Sequence, residues 1–208
     1  MNIDFEKVNA DLREATALEI VHWALGLNQR VISTTSFGIN AAVMLHLVSG
    51  ADSSLPTVWI DTGYNLRDTY VVAERLIESL SLNMHIYSPE MTSERRNALG
   101  GGIPTIEEEE SHQQFTQQVK LEPFSRAIKA LQPQVWLTGI RKEETTHRQT
   151  LDIVSLDNRG IIKVAPLYYW SEEDLEDYME QFQLPSCKHY FDPTKVHDDR
   201  ECGLHTAA

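Results

Sequence analysis

Val31-Ile32-Ser33-Thr34-Thr35-Ser36-Phe37-Gly38-Ile39-Asn40-Ala41-Ala42-Val43-Met44-Leu45-His46-Leu47-Val48-Ser49 is the stretch whose reading decides the fold. Val31-Ile32-Ser33-Thr34 is short and rich in β-branched residues, which predicts a strand. A polar turn with a glycine follows at 34–38, and 39–49 then takes up helical spacing. The pattern repeats downstream. Thr57-Val58-Trp59-Ile60-Asp61 reads as a strand, 66–80 as a helix and Met84-His85-Ile86-Tyr87 as a third strand. Short connections between such elements predict βαβ units. The fold class is therefore α/β: a twisted, mostly parallel sheet with helices on both faces. Ligands of such sheets bind at the carboxyl ends of the strands. Two of those ends, 33–38 and 61–63, carry small polar residues.

Outward from this core, 4–26 reads as one amphipathic helix, with Phe5, Val8, Leu12, Ala15, Leu18 and Trp23 near helical spacing. The stretch 90–118 breaks the pattern with Gly100-Gly101-Gly102, Pro104 and Glu107 to Glu110. It reads as a mobile surface loop, or as a flap that orders over a ligand. A helix is expected over 121–131 and a strand over 134–138. Asp157-Asn158-Arg159-Gly160 predicts a hairpin turn between strands at 151–156 and 161–165. Ser171 caps a helix that stops before Pro185. One domain is expected over 1–208, with 183–208 as a mobile catalytic tail.

Bulk properties narrow the function. The chain has 208 residues, 41% hydrophobic and 24% charged, with a net charge of -13. That charge argues against a nucleic-acid partner, which would need a basic face. No apolar run approaches the ~20 residues of a membrane helix. Met1 to Glu6 does not resemble a secretory signal, so no membrane partner is expected and the cytoplasm is the expected location. Cys187 and Cys202 are the only cysteines. They cannot supply the four thiolates of an ordinary iron–sulfur or zinc site within one chain.

Candidate chemistry lies at five places. Ser33, Thr34, Thr35, Ser36, Phe37 and Gly38 form a turn that offers N–H and hydroxyl groups and a helix end to an anion. It lacks a Walker ending, and an ordinary capped turn would use the same residues. In Asp61-Thr62-Gly63 the carboxylate can accept from a ribose or an adenine amine and Gly63 lets a ligand approach the backbone, or the three simply form a helix-capping turn. Arg141, Lys142 and Arg148 gather positive charge after a strand in an acidic chain. Guanidinium forks match phosphate and sulfate oxygens, although Glu143 and Glu144 could equally make this a solvated loop. Lys120 is a further cation. Finally, in Arg200-Glu201-Cys202-Gly203-Leu204-His205, nothing in the pattern buries Cys202. Arg200 and His205 favour its thiolate, and Glu201 opposes it. Cys187, in Leu184-Pro185-Ser186-Cys187, reads as a packed thiol, with a resolving role toward Cys202 as the other option.

Together these motifs resemble the assimilatory phosphoadenylyl-sulfate reductase family over nearly the whole chain. The resemblance rests on Ser33 to Gly38 with the helix after it, Asp61-Thr62-Gly63-Tyr64, Lys120 with Glu122-Pro123, and Thr138 to Glu143. It continues through Ala165-Pro166-Leu167 with Trp170-Ser171, and is most specific at Glu201-Cys202-Gly203-Leu204-His205. It implies an adenine nucleotide α-hydrolase-like fold, a homodimer, no bound cofactor or metal, and reduced thioredoxin or glutaredoxin as electron donor. The implied substrate is 3'-phosphoadenylyl sulfate (PAPS). Cys202 would be the nucleophile, framed by Glu201 and His205. The 33–38 turn and the Asp61 turn would hold the nucleotide, and Lys120, Arg141 and Arg148 its anionic groups. The cluster-free branch is the one favoured by two cysteines. Adenylyl sulfate (APS) as substrate, or a divergent nucleotide-binding relative without reductase activity, stay open on these residues. Typical members carry a longer segment between the Leu-Pro stretch and the cysteine motif.

Overall fold

The computed structural model describes residues 3–105, 107–195 and 204. Its centre is β1, Val31–Thr35. β1 pairs in parallel with β2 (Thr57–Ile60) on one side and with β4 (Val135–Leu137) on the other. β3 (Met84–Tyr87) extends the sheet beyond β2. β6 (Ile162–Val164) joins β4 in parallel, and β5 (Val154–Leu156) closes the far edge antiparallel to β6. The order is β3-β2-β1-β4-β6-β5. The α/β class expected from the sequence is the class observed, and the 157–160 hairpin forms. Its turn is held by Asp157, which accepts from the backbone N–H of Arg159 (2.9 Å) and of Ile161 (2.8 Å).

Central parallel strands are covered on both faces, which is why β4 is apolar throughout and the first three residues of β1 are buried without alternation. Strand register assigns the faces. Val31, Trp59, Val135 and Leu137 point to one side. There they meet α2 (Ala17–Gly26), α3 (Ala41–Ala51), α4 (Arg67–Ser79) and α8 (Glu172–Gln181). Ile32, Val58 and Trp136 point to the other side, onto Phe124 and Ala127 of α7 (Glu122–Leu131). The indole N–H of Trp136 donates to Thr34 Oγ1 at 2.9 Å, so even the polar end of β1 is tied to its neighbour.

Two sequence expectations are corrected. The single helix over 4–26 is two helices, α1 (Phe5–Leu12) and α2. Thr16 caps α2: its Oγ1 accepts from Glu19 N at 3.3 Å, and Glu19 Oε2 accepts from Thr16 N at 2.7 Å. This reciprocal box starts a new helix where the apolar spacing ran on, and it leaves Leu18 41% exposed rather than on a core face. The 90–118 stretch is largely helical: α5 (Ser93–Gly100) and α6 (Glu109–Thr116), followed by a π-helical turn, Gln117–Leu121. Thr92 caps α5 at its start, and Gly101 ends it in the left-handed region. Phe115, fully buried, orders the segment by packing on Tyr64 (5.3 Å between rings) beneath the Arg96 guanidinium (4.6 Å).

Removing the Thr16 box should cost about 1 kcal/mol, the usual worth of such a cap. Urea denaturation of Thr16→Ala is expected to show that loss. An unaltered midpoint would mean that packing alone sets the helix break.

Candidate active site

The chain leaves β1 through α3 to reach β2 on one side, and reaches β4 on the other side from α7. The connections therefore diverge at the carboxyl end of β1 and leave a crevice, the usual ligand position in an open parallel sheet. Its volume is about 390 Å³, within the range of small-molecule sites. The turn after β1, Thr62 after β2, Lys120, and the loop after β4 with Arg141 and Arg148 all line it. These groups are far apart in sequence, and the topology brings them together.

The 33–38 turn divides its labour. Thr34, Thr35, Ser36 and Gly38 line the crevice, whereas Ser33 and Phe37 are fully buried below it. Phe37 wedges its ring edge-on against Trp59 at 4.8 Å, with φ at 50°, a left-handed conformation uncommon for a residue with a Cβ. Its N–H donates to Thr35 Oγ1 at 3.0 Å. Phe37 thus shapes the turn from beneath and is not placed to touch a ligand. The amino end of α3 opens on the crevice through Asn40 and Ala41, and an α-helix N-terminus carries partial positive charge toward an anion.

The second turn is arranged differently from its sequence reading. Asp61 does not line the crevice. Its Oδ1 accepts from Gly63 N (3.0 Å), Asn65 Nδ2 (3.0 Å) and Tyr70 OH (2.8 Å), so the carboxylate organises the turn. Burial, then the hydrogen bond to Asp61, pushes the Tyr70 phenol up to about 12. Thr62 and Asn65 are the residues this turn presents to the crevice. Gly63 has φ 78°, a conformation strained for a residue with a Cβ, and a Cβ there would also sit a tight 3.3 Å from Ser93 Oγ.

Of the four cations read in the sequence, Lys142 is exposed and outside the crevice lining, and the other three line it and are buried: Lys120 is 6% exposed, Arg141 8% and Arg148 5%. Each is held by a carboxylate. Arg141 donates to Glu143 Oε1 (2.5 Å), Glu172 Oε2 (2.6 Å) and the Trp170 carbonyl (3.2 Å). Arg148 pairs with Glu144, which also accepts from Arg141 N at 2.8 Å. Lys120, on the π-helical turn, pairs with Asp192 and donates to Thr194 Oγ1 at 3.2 Å. Burial pushes the Asp192 carboxyl up, but the Lys120 charge and the hydrogen bonds from Lys120 and Thr194 outweigh it. The carboxyl is left below its usual range.

Asp192, Tyr190 and Lys195 belong to the crevice wall and were not anticipated from the sequence. The one signal for Asp192 was Asp192-Pro193-Thr194, where an Asp two residues before a Thr favours a local turn. Residues 184–195, grouped with the tail on sequence, are packed on the body. Cys187 is 2% exposed, and its thiol donates to the Phe37 carbonyl at 3.4 Å. Burial is the main cause that pushes that thiol up. The predicted catalytic residues Glu201, Cys202 and His205 lie outside the described residues. Leu204 lies within them; it lines the crevice and packs beside the Trp136–Phe124 cluster.

Known proteins bear on this arrangement. Residues 30–193 match the family model described as the phosphoadenosine phosphosulfate reductase domain. A phosphoadenosine 5'-phosphosulfate reductase of a Synechococcus species is 37% identical over 86% of this chain and 77% of its own length. One from a Synechocystis species is 35% identical over 98% of this chain and 91% of its own length. Among solved structures, a phosphoadenylyl-sulfate (PAPS) reductase from Candida auris in a phosphate complex has a TM-score of 0.78 and 26% identity, covering 90% of this chain and 91% of that one. The FMN adenylyltransferase of Candida glabrata (TM-score 0.58, 15% identity, 83% of this chain and 56% of that one) shares the fold alone. The matched span contains the β1 turn, the Asp61 turn, Lys120, the arginine loop and Asp192, and on these grounds the chain belongs to the phosphoadenosine phosphosulfate reductase domain family.

Proposed function

We propose that this chain reduces PAPS to sulfite and adenosine 3',5'-bisphosphate in sulfate assimilation, with Cys202 as the nucleophile. One observation carries the reading. Leu204 lines the same crevice as the β1 turn and the three buried cations. An extended chain spans about 3.5 Å per residue, so a thiol two positions away has the reach of that crevice.

The chemistry follows from the groups present. The turn at Thr34 to Gly38, the amino end of α3 and Thr62 supply donors for a nucleotide's polar groups. Lys120, Arg141 and Arg148 supply the charge that lets a thiolate approach an anion. The Cys202 thiolate attacks the sulfate sulfur. The bond from that sulfur to the bridging oxygen breaks, and adenosine 3',5'-bisphosphate leaves with the electron pair. Cys202 is left as an S-sulfonate. A thiolate of reduced thioredoxin, or of glutaredoxin, then attacks Cys202 Sγ and expels sulfite. The donor's second thiol resolves the mixed disulfide and regenerates Cys202, so the two electrons come from the donor dithiol. Glu201 and His205 flank the nucleophile in sequence and tune its thiolate. The working unit is a homodimer in this proposal, and no resident metal or cofactor is required. The net charge of -13 supports a small anionic substrate held by local cations over a nucleic acid.

The decisive assay is sulfite release with reduced thioredoxin. Wild type is expected to release sulfite from PAPS, more slowly from APS, and in neither case without the donor. Cys202→Ser should release none while still binding adenosine 3',5'-bisphosphate in calorimetry. No sulfite from either nucleotide in wild type would end the reductase reading, and full activity in Cys202→Ser would end the nucleophile assignment. Arg141→Ala is expected to weaken bisphosphate binding by more than ~1 kcal/mol, the scale of a charge-assisted hydrogen bond. Unchanged affinity would leave Arg141 as an internal tie between Glu143 and Glu172.

A further inference from the structure

Between Leu184 and Lys195 the chain crosses from one wall of the crevice to the other. On the first wall its ties go to the β1 turn and α4. Ser186 Oγ donates to the Ile39 carbonyl at 2.8 Å, Cys187 to the Phe37 carbonyl, and Lys188 N to Asp68 Oδ2 at 3.0 Å. The Tyr190 ring then lies against Gly38. On the second wall the tie is to Lys120. Asp192 Oδ2 takes the ammonium, while Oδ1 accepts from Thr194 N (3.0 Å) and Thr194 Oγ1 (2.7 Å). Lys120 also donates to that same Thr194 oxygen, so four polar groups close on one another. The paired side chains are 7% and 6% exposed. A buried carboxylate and a buried ammonium are each strongly unfavourable alone, so each offsets the other's burial. Asp192 and Leu204 both line the crevice, which means that the chain joining them starts and finishes in it.

We propose that Asp192 is a positioning residue for the sulfur chemistry: by clasping Lys120 it registers the C-terminal chain to the crevice, ahead of the nucleophile. This rests on the reductase reading given above. The clasp makes one ammonium serve two tasks. It is a wall of the anion site, and it is the post to which the chain carrying Cys202 is tied. A displacement of that post moves the thiol relative to the sulfur it must reach, and sub-ångström placement is what such steps depend on. The Oδ1 contacts to Thr194 argue against a carboxylate that merely fills the anion site until a ligand displaces it. The group is already committed to its own turn.

The test separates binding from turnover and adds a readout that needs no turnover. Asp192→Asn keeps the side-chain shape and removes the charge. Thr194→Val removes a hydroxyl and leaves the ion pair. In both, kcat for sulfite release should fall, by about tenfold or more in Asp192→Asn, and by more than any loss of calorimetric affinity for adenosine 3',5'-bisphosphate, in which Lys120 also shares. Thr194→Ser should recover most of what Thr194→Val loses. In a Cys187→Ser background, the bisphosphate should change the alkylation rate of Cys202 by iodoacetamide. Asp192→Asn should abolish that change. Unaltered kcat, a loss confined to affinity, or tighter binding with faster turnover in Asp192→Asn would each overturn the proposal. If wild type releases no sulfite but the nucleotide effect on alkylation still depends on Asp192, the positioning role stands and the reductase reading falls. If wild type releases sulfite and Asp192→Asn matches it, the positioning role falls alone.

Discussion

β1 runs parallel to neighbours on both sides, and its two flanking connections go opposite ways. That single constraint opens a gap at its carboxyl end that neither connection fills. The gap also fixes which residues can face it. Strand ends contribute Thr34 and Thr35, Thr62 stands just past β2, and Thr138 follows β4. Their backbones are set by the ladder, so their hydroxyls are placed without help from a ligand. The one strained residue nearby, Phe37 at φ 50°, lies under the turn and is anchored by burial against Trp59. Ring burial and the edge-on contact offset a backbone cost of about 1–3 kcal/mol.

The second organising constraint is electrostatic. The chain is strongly acidic overall, yet its crevice wall holds three buried cations. Each has a carboxylate beside it, from Asp192, from Glu143 and Glu172, or from Glu144. Among these pairs Lys120–Asp192 is buried at both members, and losing one partner of such a pair costs about 3–5 kcal/mol, because the other charge is stranded. The pairs are therefore scaffolding as well as charge. They hold the guanidinium and ammonium groups in one orientation, so that an incoming anion meets donors already aimed. The exposed carboxylates Glu143 and Glu172, about half accessible, are the members of this set that solvent screens most.

How much of this was legible in the sequence depends on range. Local chemistry read well. Ser171 as a cap, the Asp157 hairpin, and β-branched strands followed by polar turns all carry their information within a few residues. The helix over 4–26 failed because apolar spacing says nothing about a cap in its middle, and Thr16 with Glu19 had to be read as a box. The 90–118 stretch failed because two buried rings of α6, Phe115 and His112, anchor it, Phe115 through contacts with Tyr64 and Arg96. Within the site, residue type found the cations but not their partners. Asp192 lies 72 positions from Lys120, and a long-range ion pair leaves no periodic mark. Asp61 was assigned to ligand because a carboxylate at a strand end can serve either a ligand or its own turn. Only the contacts with Gly63, Asn65 and Tyr70 decide between the two.

The same contacts explain how two distant parts of the chain are coupled. The Phe37 and Ile39 carbonyls are occupied from the outside by Cys187 and Ser186. The residues just before Phe37 offer their hydroxyls to the crevice. A shift of this turn on ligand binding would therefore be felt at 186–187, and through Tyr190 at the Asp192 clasp. Cys187 fits this structural part better than a redox one. Its thiol is buried and raised, and its hydrogen bond is spent on the turn. A small, polarisable side chain that donates weakly to a carbonyl holds the segment close without fixing it rigidly. The β1 turn and the 186–195 segment are thus joined by direct hydrogen bonds, and under the proposed function a change at the turn would reach the chain that leads on to Cys202.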